Sequence, residues 1–250
     1  MGGPKWSAFF QVKTTMSEKL DKQIVLDLLA TLKRTDQQFE NFGSRIHQYE
    51  LHQPLALSVI EAFESTHNIT LPEDYRYFIS EIGNGGAGPY CGLFPFGYHN
   101  HHRSFCTWEN GYPVGDLSAA FPHQDKWNLP DSFWNKMPDP GPDVSEEEED
   151  RMMEEWNKEL EQHYWNPKVM NGAIPICDLG CALRQWLVIR GPQKGYVWAD
   201  DRAGYAGLYP LCDENSQQVT FADWYMTWLR KPLKVRISNR KGVVRNIAGQ

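Results

Sequence analysis

No apolar run in the 250 residues approaches the roughly 20 positions needed to cross a bilayer. The opening stretch MGGPKWSAFFQVKTT also lacks the apolar core of a secretory signal. Gly2 could suggest myristoylation, but Trp6 stands where that signal wants Ser or Thr. These absences predict a soluble, cytoplasmic protein with no membrane partner. Cysteine is scarce and odd in number: Cys91, Cys106, Cys177, Cys181 and Cys212. Scattered among core-like residues, they read as reduced thiols and not as a disulfide framework. Cys177 and Cys181 lie four apart with no second Cys or His pair at zinc spacing, so no metal site is expected from them.

Catalytic signatures are missing as well. There is no HExxH and no GxSxG. The Gly83 to Gly88 stretch, GNGGAG, follows a helical pattern instead of a strand and lacks the Lys-Ser/Thr that holds phosphate and magnesium, so it reads as a turn. His99, His101 and His102 cluster on a polar loop, and a metal-dependent enzyme built on them is one function class to weigh. No carboxylate or Cys stands at a ligand-like offset, which favours solvated histidines and no bound metal. Asp200 and Asp201 form a carboxylate pair beside Arg202, but neighbours in a strand face opposite ways, so a hairpin-end turn explains them better than acid–base chemistry. The reading is of a non-enzyme with no cofactor and no small-molecule substrate.

What is present is a folded body. Ten Trp, 41% hydrophobic residues and 23% charged residues describe an ordinary globular protein. Its organising stretch runs from Gly172 to Leu229. Segments Ala173 to Cys177, Leu183 to Arg190, Tyr196 to Ala199 and Leu208 to Leu211 alternate β-branched or aromatic residues with Gly and Pro, as neighbouring antiparallel strands do. TFADWYMTWL then predicts a helix capped by Thr220, with Phe221, Trp224, Tyr225, Trp228 and Leu229 on one face. Large aromatics on that face need a broad apolar surface, and the sheet just before supplies one.

Upstream, a helix is expected from Ser17, with Leu20, Ile24 and Leu28 on one stripe and Val25, Leu29 and Leu32 beside it. A second helical stretch carries Phe39, Phe42, Ile46 and Tyr49, and a third opens at Pro54 with Leu55, Val59, Ile60 and Phe63. Pro72 then starts a helix that buries Tyr75, Phe78, Ile79 and Ile82 and stops at Gly83, before a short strand around Tyr90 to Phe94. Further on, SEEEEDRMMEEWNKELEQHYW is a strong helix. Ser145 and Glu148 form its capping box, and Met153, Trp156, Leu160 and Tyr164 form its apolar stripe.

Charge is unevenly placed. Arg230 to Gln250 holds seven basic residues and no acidic one, which leaves −14 on everything before it against −7 for the whole chain. An acidic body repels nucleic acid and attracts basic surfaces.

LPEDYRYFISEIGNGGAGPYCGLFPFG resembles the helix and turn that open domains of the SUKH superfamily, which includes the fungal Smi/Knr cell-wall regulators and many bacterial immunity proteins. IPICDLGC, GYVWADDR and TFADWYMTWL are similar to the rest of the same domain, in the same order. The resemblance implies an α+β fold: a single SUKH-like domain with a twisted, mainly antiparallel sheet flanked by helices. With the residue patterns on either side, it divides the chain into an unstructured extension (1–16), an N-terminal helical segment (17–53), the SUKH-like domain (54–230, with an acidic helical insertion at 97–170) and a basic tail (231–250). It also implies a function, that of an immunity protein that neutralises a cognate toxin, of nuclease type and encoded by an adjacent gene. The alternative is a non-catalytic regulatory scaffold for host proteins. The expected partner contacts are Glu146, Glu147, Glu148, Glu149, Asp150, Asp200 and Asp201, with Trp198 near them.

Overall fold

In the computed structural model, residues 19–97 and 114–231 are described. Strands β1 (Ala173–Gly180), β2 (Leu183–Val188), β3 (Val197–Asp201) and β4 (Gly207–Pro210) form one antiparallel sheet in sequence order. All four lie where the residue pattern places them, each within a few residues of the expected ends. β1 carries two register shifts against β2, between Pro175 and Cys177 and between Asp178 and Gly180. Such bulges re-aim side chains at a strand's end.

The helices are α1 (Lys22–Thr35), α2 (Ser44–His47), α3 (Leu57–His67), α4 (Glu73–Tyr77, continued by a π turn over Phe78–Ile82), α5 (Asp131–Trp134), α6 (Glu146–His163) and α7 (residues 221–231). One sheet face, through Ile174, Ile176, Leu187 and Val197, packs with Phe221, Tyr225 and Leu229 of α7, with Tyr75, Phe78, Ile79 and Ile82, and with Val25, Leu29 and Leu32 of α1. Edge-on rings lock this layer: Phe78 stands 4.8 Å from Tyr225, and Tyr75 5.0 Å from Phe221.

The other sheet face is also covered. Ala173, Trp186, Val188, Trp198 and Leu208 bury against Phe121 and Met170, which the insertion supplies. A third cluster, Trp156, Leu160 and Tyr164 with Phe133 and Trp134, docks α6 beside them. The chain is thus an α+β single domain whose insertion completes the core.

Local departures from the sequence reading have local causes. The stretch from Phe39 to Tyr49 is not a helix beyond the single turn of α2, because Phe39, Gly43, Gln48 and Tyr49 all take left-handed backbone angles. Buried Asp36 fixes this loop by accepting from Tyr49 Oη at 2.6 Å and from the Glu40 amide at 2.8 Å. The strand expected at Tyr90 to Phe94 is reduced to single bridges, Leu93 to Cys177 and Gly86 to Leu93. Helix α1 starts at Lys22, capped by Asp21 at 2.9 Å, and its buried stripe is Val25, Leu29 and Leu32, while Ile24 faces solvent. Helix α3 starts at Leu57 and buries Ile60, while Val59 is exposed. The glycine run is a structural turn: a Cβ on Gly86 would meet the Glu50 carbonyl oxygen at 2.4 Å.

Helix α7 begins at a double cap. Thr220 Oγ1 accepts from the Asp223 amide at 3.2 Å and donates to Asp223 Oδ2 at 2.8 Å. From across the core, Asp74 Oδ2 accepts from the Ala222 amide at 2.9 Å, while its Oδ1 accepts from Tyr75 N at 2.8 Å. Replacing Asp74 by Ala orphans two amides and is expected to cost about 1–2 kcal/mol in urea unfolding, with Asp74→Asn, which keeps one acceptor oxygen of the two, recovering only part of it. Equal losses in the two variants would show that the acceptor is not what matters.

Candidate functional site

The expected contacts fall into two places. Glu146, Glu147, Glu148, Glu149 and Asp150 form the first turn of α6, all exposed, and Ser145 Oγ accepts from the Glu148 amide at 3.3 Å. Four carboxylates at the positive end of the helix dipole hold that turn helical while leaving their charge in water. The apolar side of α6 is buried through Trp156 and Leu160, so the acidic run sits on a firmly docked element.

The second place is the turn after β3. Here two of the expected contacts are buried. Trp198 is wholly buried, against Phe121 at 4.9 Å, because the insertion covers its sheet face. Asp200 is 2% exposed and fully engaged: its Oδ1 accepts from Arg202 Nε at 2.8 Å and its Oδ2 from Arg202 Nη2 at 2.7 Å. Neither presents a surface to a partner. Asp201 points the other way, as strand alternation requires, and remains partly exposed.

The same turn holds an aromatic that the residue pattern did not single out. Tyr205 is 54% exposed, takes a left-handed backbone angle, and stands edge-on to Trp134 at 5.4 Å. Asn128 Nδ2 donates to its carbonyl oxygen at 2.8 Å, tying the turn to the insertion. The signal for it was an aromatic inside the Gly-flanked hairpin end DDRAGYAG. Asp201 and Tyr205 lie on the two ends of one tight turn, a charge beside an anchor-type ring.

Arg202 joins this turn to α6. Its Nη1 donates to the Tyr164 carbonyl oxygen at 2.9 Å at the helix C-terminus, and its guanidinium lies 5.0 Å from the Trp165 ring. The fourteen residue steps from Asp150 to Tyr164 correspond to about 21 Å along the helix. The two groups of contacts therefore flank opposite ends of α6 and do not form one patch.

A cleft of about 950 Å³ opens between α4 and the Lys194–Gly195 turn, lined by Leu20, Leu57, Asp74, Tyr77, Lys194 and Thr220. Burial pushes the Asp74 carboxyl up, opposed by the amides of Ala222 and Tyr75 that it accepts from. Its oxygens are spent on capping, so the upward shift comes from burial and not from a catalytic neighbour. Among the described residues no His, Cys, Asp and Glu groups gather as a metal site. The His99, His101 and His102 cluster lies outside the described residues.

Residues 54–220 match the model of the SMI1 / KNR4 family (SUKH-1). The chain belongs to this family. The matched range covers α3, α4, the insertion and the whole sheet, and it includes every expected contact residue. No curated protein and no solved structure matches the chain. The SUKH family includes immunity proteins and implies protein–protein interaction. In this SUKH chain, no helix of the described residues is long and apolar enough to cross a membrane.

Proposed function

We propose that this SUKH protein is a non-catalytic immunity protein that binds and neutralises a cognate toxin of nuclease type, encoded by an adjacent gene. The observation that carries the reading is the exposed acidic turn Glu146 to Asp150, mounted on a helix packed to the body of an acidic protein. A nuclease must carry a basic substrate cleft. An acidic helix end can occupy such a cleft in place of phosphates, and long-range attraction raises the association rate. Asp201 and Tyr205, at the far end of α6, would supply a second contact with an aromatic anchor.

Two experiments test this. Co-expression with the product of the neighbouring gene should rescue host growth and yield a stable complex. Neutralising this turn (Glu146, Glu147, Glu148 and Glu149 to Gln, Asp150→Asn) together with Asp201→Asn should cut affinity about 100-fold, mostly through a slower, salt-insensitive association, with only a small drop in melting temperature from the weakened helix start. Unchanged affinity with an intact fold would remove both surfaces from the interface.

A second reading, a regulatory scaffold for host proteins like the fungal Smi/Knr regulators, is supported by large exposed apolar residues in the N-terminal segment outside the matched range, Phe42 and Ile46. A stable host partner in a pull-down, with a harmless neighbouring gene product, would favour it.

A further inference from the structure

A small pocket of about 310 Å³ opens where the turn between β2 and β3 meets the loop between α3 and α4. Arg190 and Lys194 line it from the turn, and Asn68 and Thr70 from the loop. Each cation reaches across. Arg190 Nη1 donates to the Asn68 carbonyl oxygen at 2.7 Å, and Lys194 Nζ donates to Thr70 Oγ1 at 2.7 Å. Both acceptors are neutral. No Asp or Glu lines the pocket, and neither cation forms an ion pair with a carboxylate among the described residues. In a chain of net charge −7, two cations thus meet in one pocket with no counter-charge.

Backbone hydrogen bonds fix both walls. The Arg190 amide donates to the Gly172 carbonyl oxygen at 3.1 Å, the Arg190 carbonyl oxygen accepts from the Phe121 amide at 3.0 Å, and the Lys194 amide donates to the Gly191 carbonyl oxygen at 3.1 Å. Gly191 and Gly195 take φ of +101° and +93°, left-handed angles that let the turn fold back on itself. On the other wall, Glu64 accepts from the Ile69 amide through its carbonyl oxygen at 3.0 Å and from the Leu71 amide through Oε1 at 2.8 Å. Thr70 is held between these two bonds. A pocket whose walls are set in advance loses little to ordering when a ligand enters.

The donors left over define what that ligand is. With one bond made, the Arg190 guanidinium has further N–H groups to give, Lys194 has two more ammonium hydrogens, and Thr70 Oγ1, having accepted, can still donate its own proton. Several donors carrying two positive charges suit a tetrahedral oxyanion with three acceptor oxygens and close to two negative charges. A carboxylate, planar and singly charged, would use fewer of them. We propose that this pocket binds a phosphate group, as the free ion or as the end of a monoester. The larger cleft that shares Lys194 is lined by Glu73, Asp74 and Glu81, whose charge repels an anion and keeps the phosphate on the Arg190 side. Neither the acidic turn of α6 nor the Asp201–Tyr205 turn takes part, so the site does not depend on the toxin reading.

Amide NMR spectra of the full chain test it, titrated with sodium phosphate and, at equal ionic strength, with sodium chloride or sodium acetate. The amides of Thr70, Gly191, Lys194 and Gly195 should shift saturably with phosphate and not with chloride, and acetate should bind about tenfold more weakly. Arg190→Gln and Lys194→Gln should each weaken phosphate about tenfold. Lys168→Gln, which removes the same charge from an exposed lysine elsewhere, should change nothing. Thr70→Val leaves both cations in place, so its expected loss of about threefold reports even where a Gln variant fails to fold. Phenyl phosphate separates the two sources: binding tighter than inorganic phosphate identifies a monoester, and equal binding identifies the free ion, each with the same dependence on Arg190. Shifts that never saturate, or equal phosphate affinity in Arg190→Gln, Thr70→Val and the native chain, overturn the proposal and leave the two cations as clasps between the loops.

Discussion

Replacing Arg202 by Met is expected to destabilise the protein by about 3–5 kcal/mol, the cost of leaving a buried carboxylate without its partner. The guanidinium gives two parallel bonds to Asp200, 2.8 and 2.7 Å long, and a third to the Tyr164 carbonyl oxygen at 2.9 Å, with both charged side chains almost wholly buried. Met fills much of the same volume, so the loss reports charge and hydrogen bonding more than packing. For a chain of this size, the melting temperature should fall by about 6–20 °C. Two comparisons sharpen the result. Asp200→Leu with Arg202→Met should recover most of the loss, because removing both charges removes the orphaned one. Hydrogen exchange should also quicken in the last turn of α6, since the Tyr164 carbonyl loses its cation at the helix C-terminus. A loss below 1 kcal/mol would mean that water reaches Asp200 and that the pair is not a latch between the sheet and the insertion.

That latch also shows what could be read from residues alone. Alternation along GYVWADDR predicts that Asp200 and Asp201 face opposite ways, and they do. Which side meets solvent was not legible, because it depends on Phe121 and Met170, which approach from the insertion, far away in sequence. A sheet covered on both faces loses its polar side, and the run of buried residues from Val197 to Asp200 is the outcome. Elements whose causes are local were legible: the capping box of α6, the aromatic face of α7, the Pro72 start and Gly83 stop around α4. The Phe39 to Tyr49 loop failed for the opposite reason. Its apolar residues sit at helical spacing, but spacing carries no information on the left-handed angles at Phe39, Gln48 and Tyr49, and the Asp36 carboxylate that imposes them is invisible as a pattern. The acidic run was legible as a charge and as a helix start, and its distance from Asp201 only as a consequence of the docked helix.

Stability should also fall as pH drops from 7 towards 4, through His47. Its Nδ1 accepts from the Tyr49 amide at 3.0 Å, so Nε2 carries the proton of the neutral ring, and that atom is buried without a hydrogen-bond partner among the described residues. Burial between Tyr49 and Trp228 lowers its pKa from 6.5 to about 4, against the opposing pull of the Asp36 carboxylate. Because the folded value is the lower one, the unfolded chain takes up this proton first. The contribution is therefore complete above pH 6.5 and lost as pH falls through 4. It amounts to about 2 kcal/mol of lost stability by pH 5 and about 3 kcal/mol once complete. Asp36 acts in a separate window: burial pushes its carboxyl up, but bonds from Tyr49 Oη and the Glu40 and Asn41 amides outweigh this and hold it below its ordinary 3.8, so its share is lost only at more acid pH. Urea unfolding at pH 7, 6, 5 and 4.5 should show the steep region in the native chain. His47→Gln, which can keep an acceptor towards Tyr49 N but does not titrate, should flatten it by the same 2 kcal/mol at pH 5. Parallel curves for the two proteins would place the acid sensitivity elsewhere and show that protonated His47 is tolerated in the fold. A flattened curve would tie the acid sensitivity to the loop between α1 and α3 in which His47 lies.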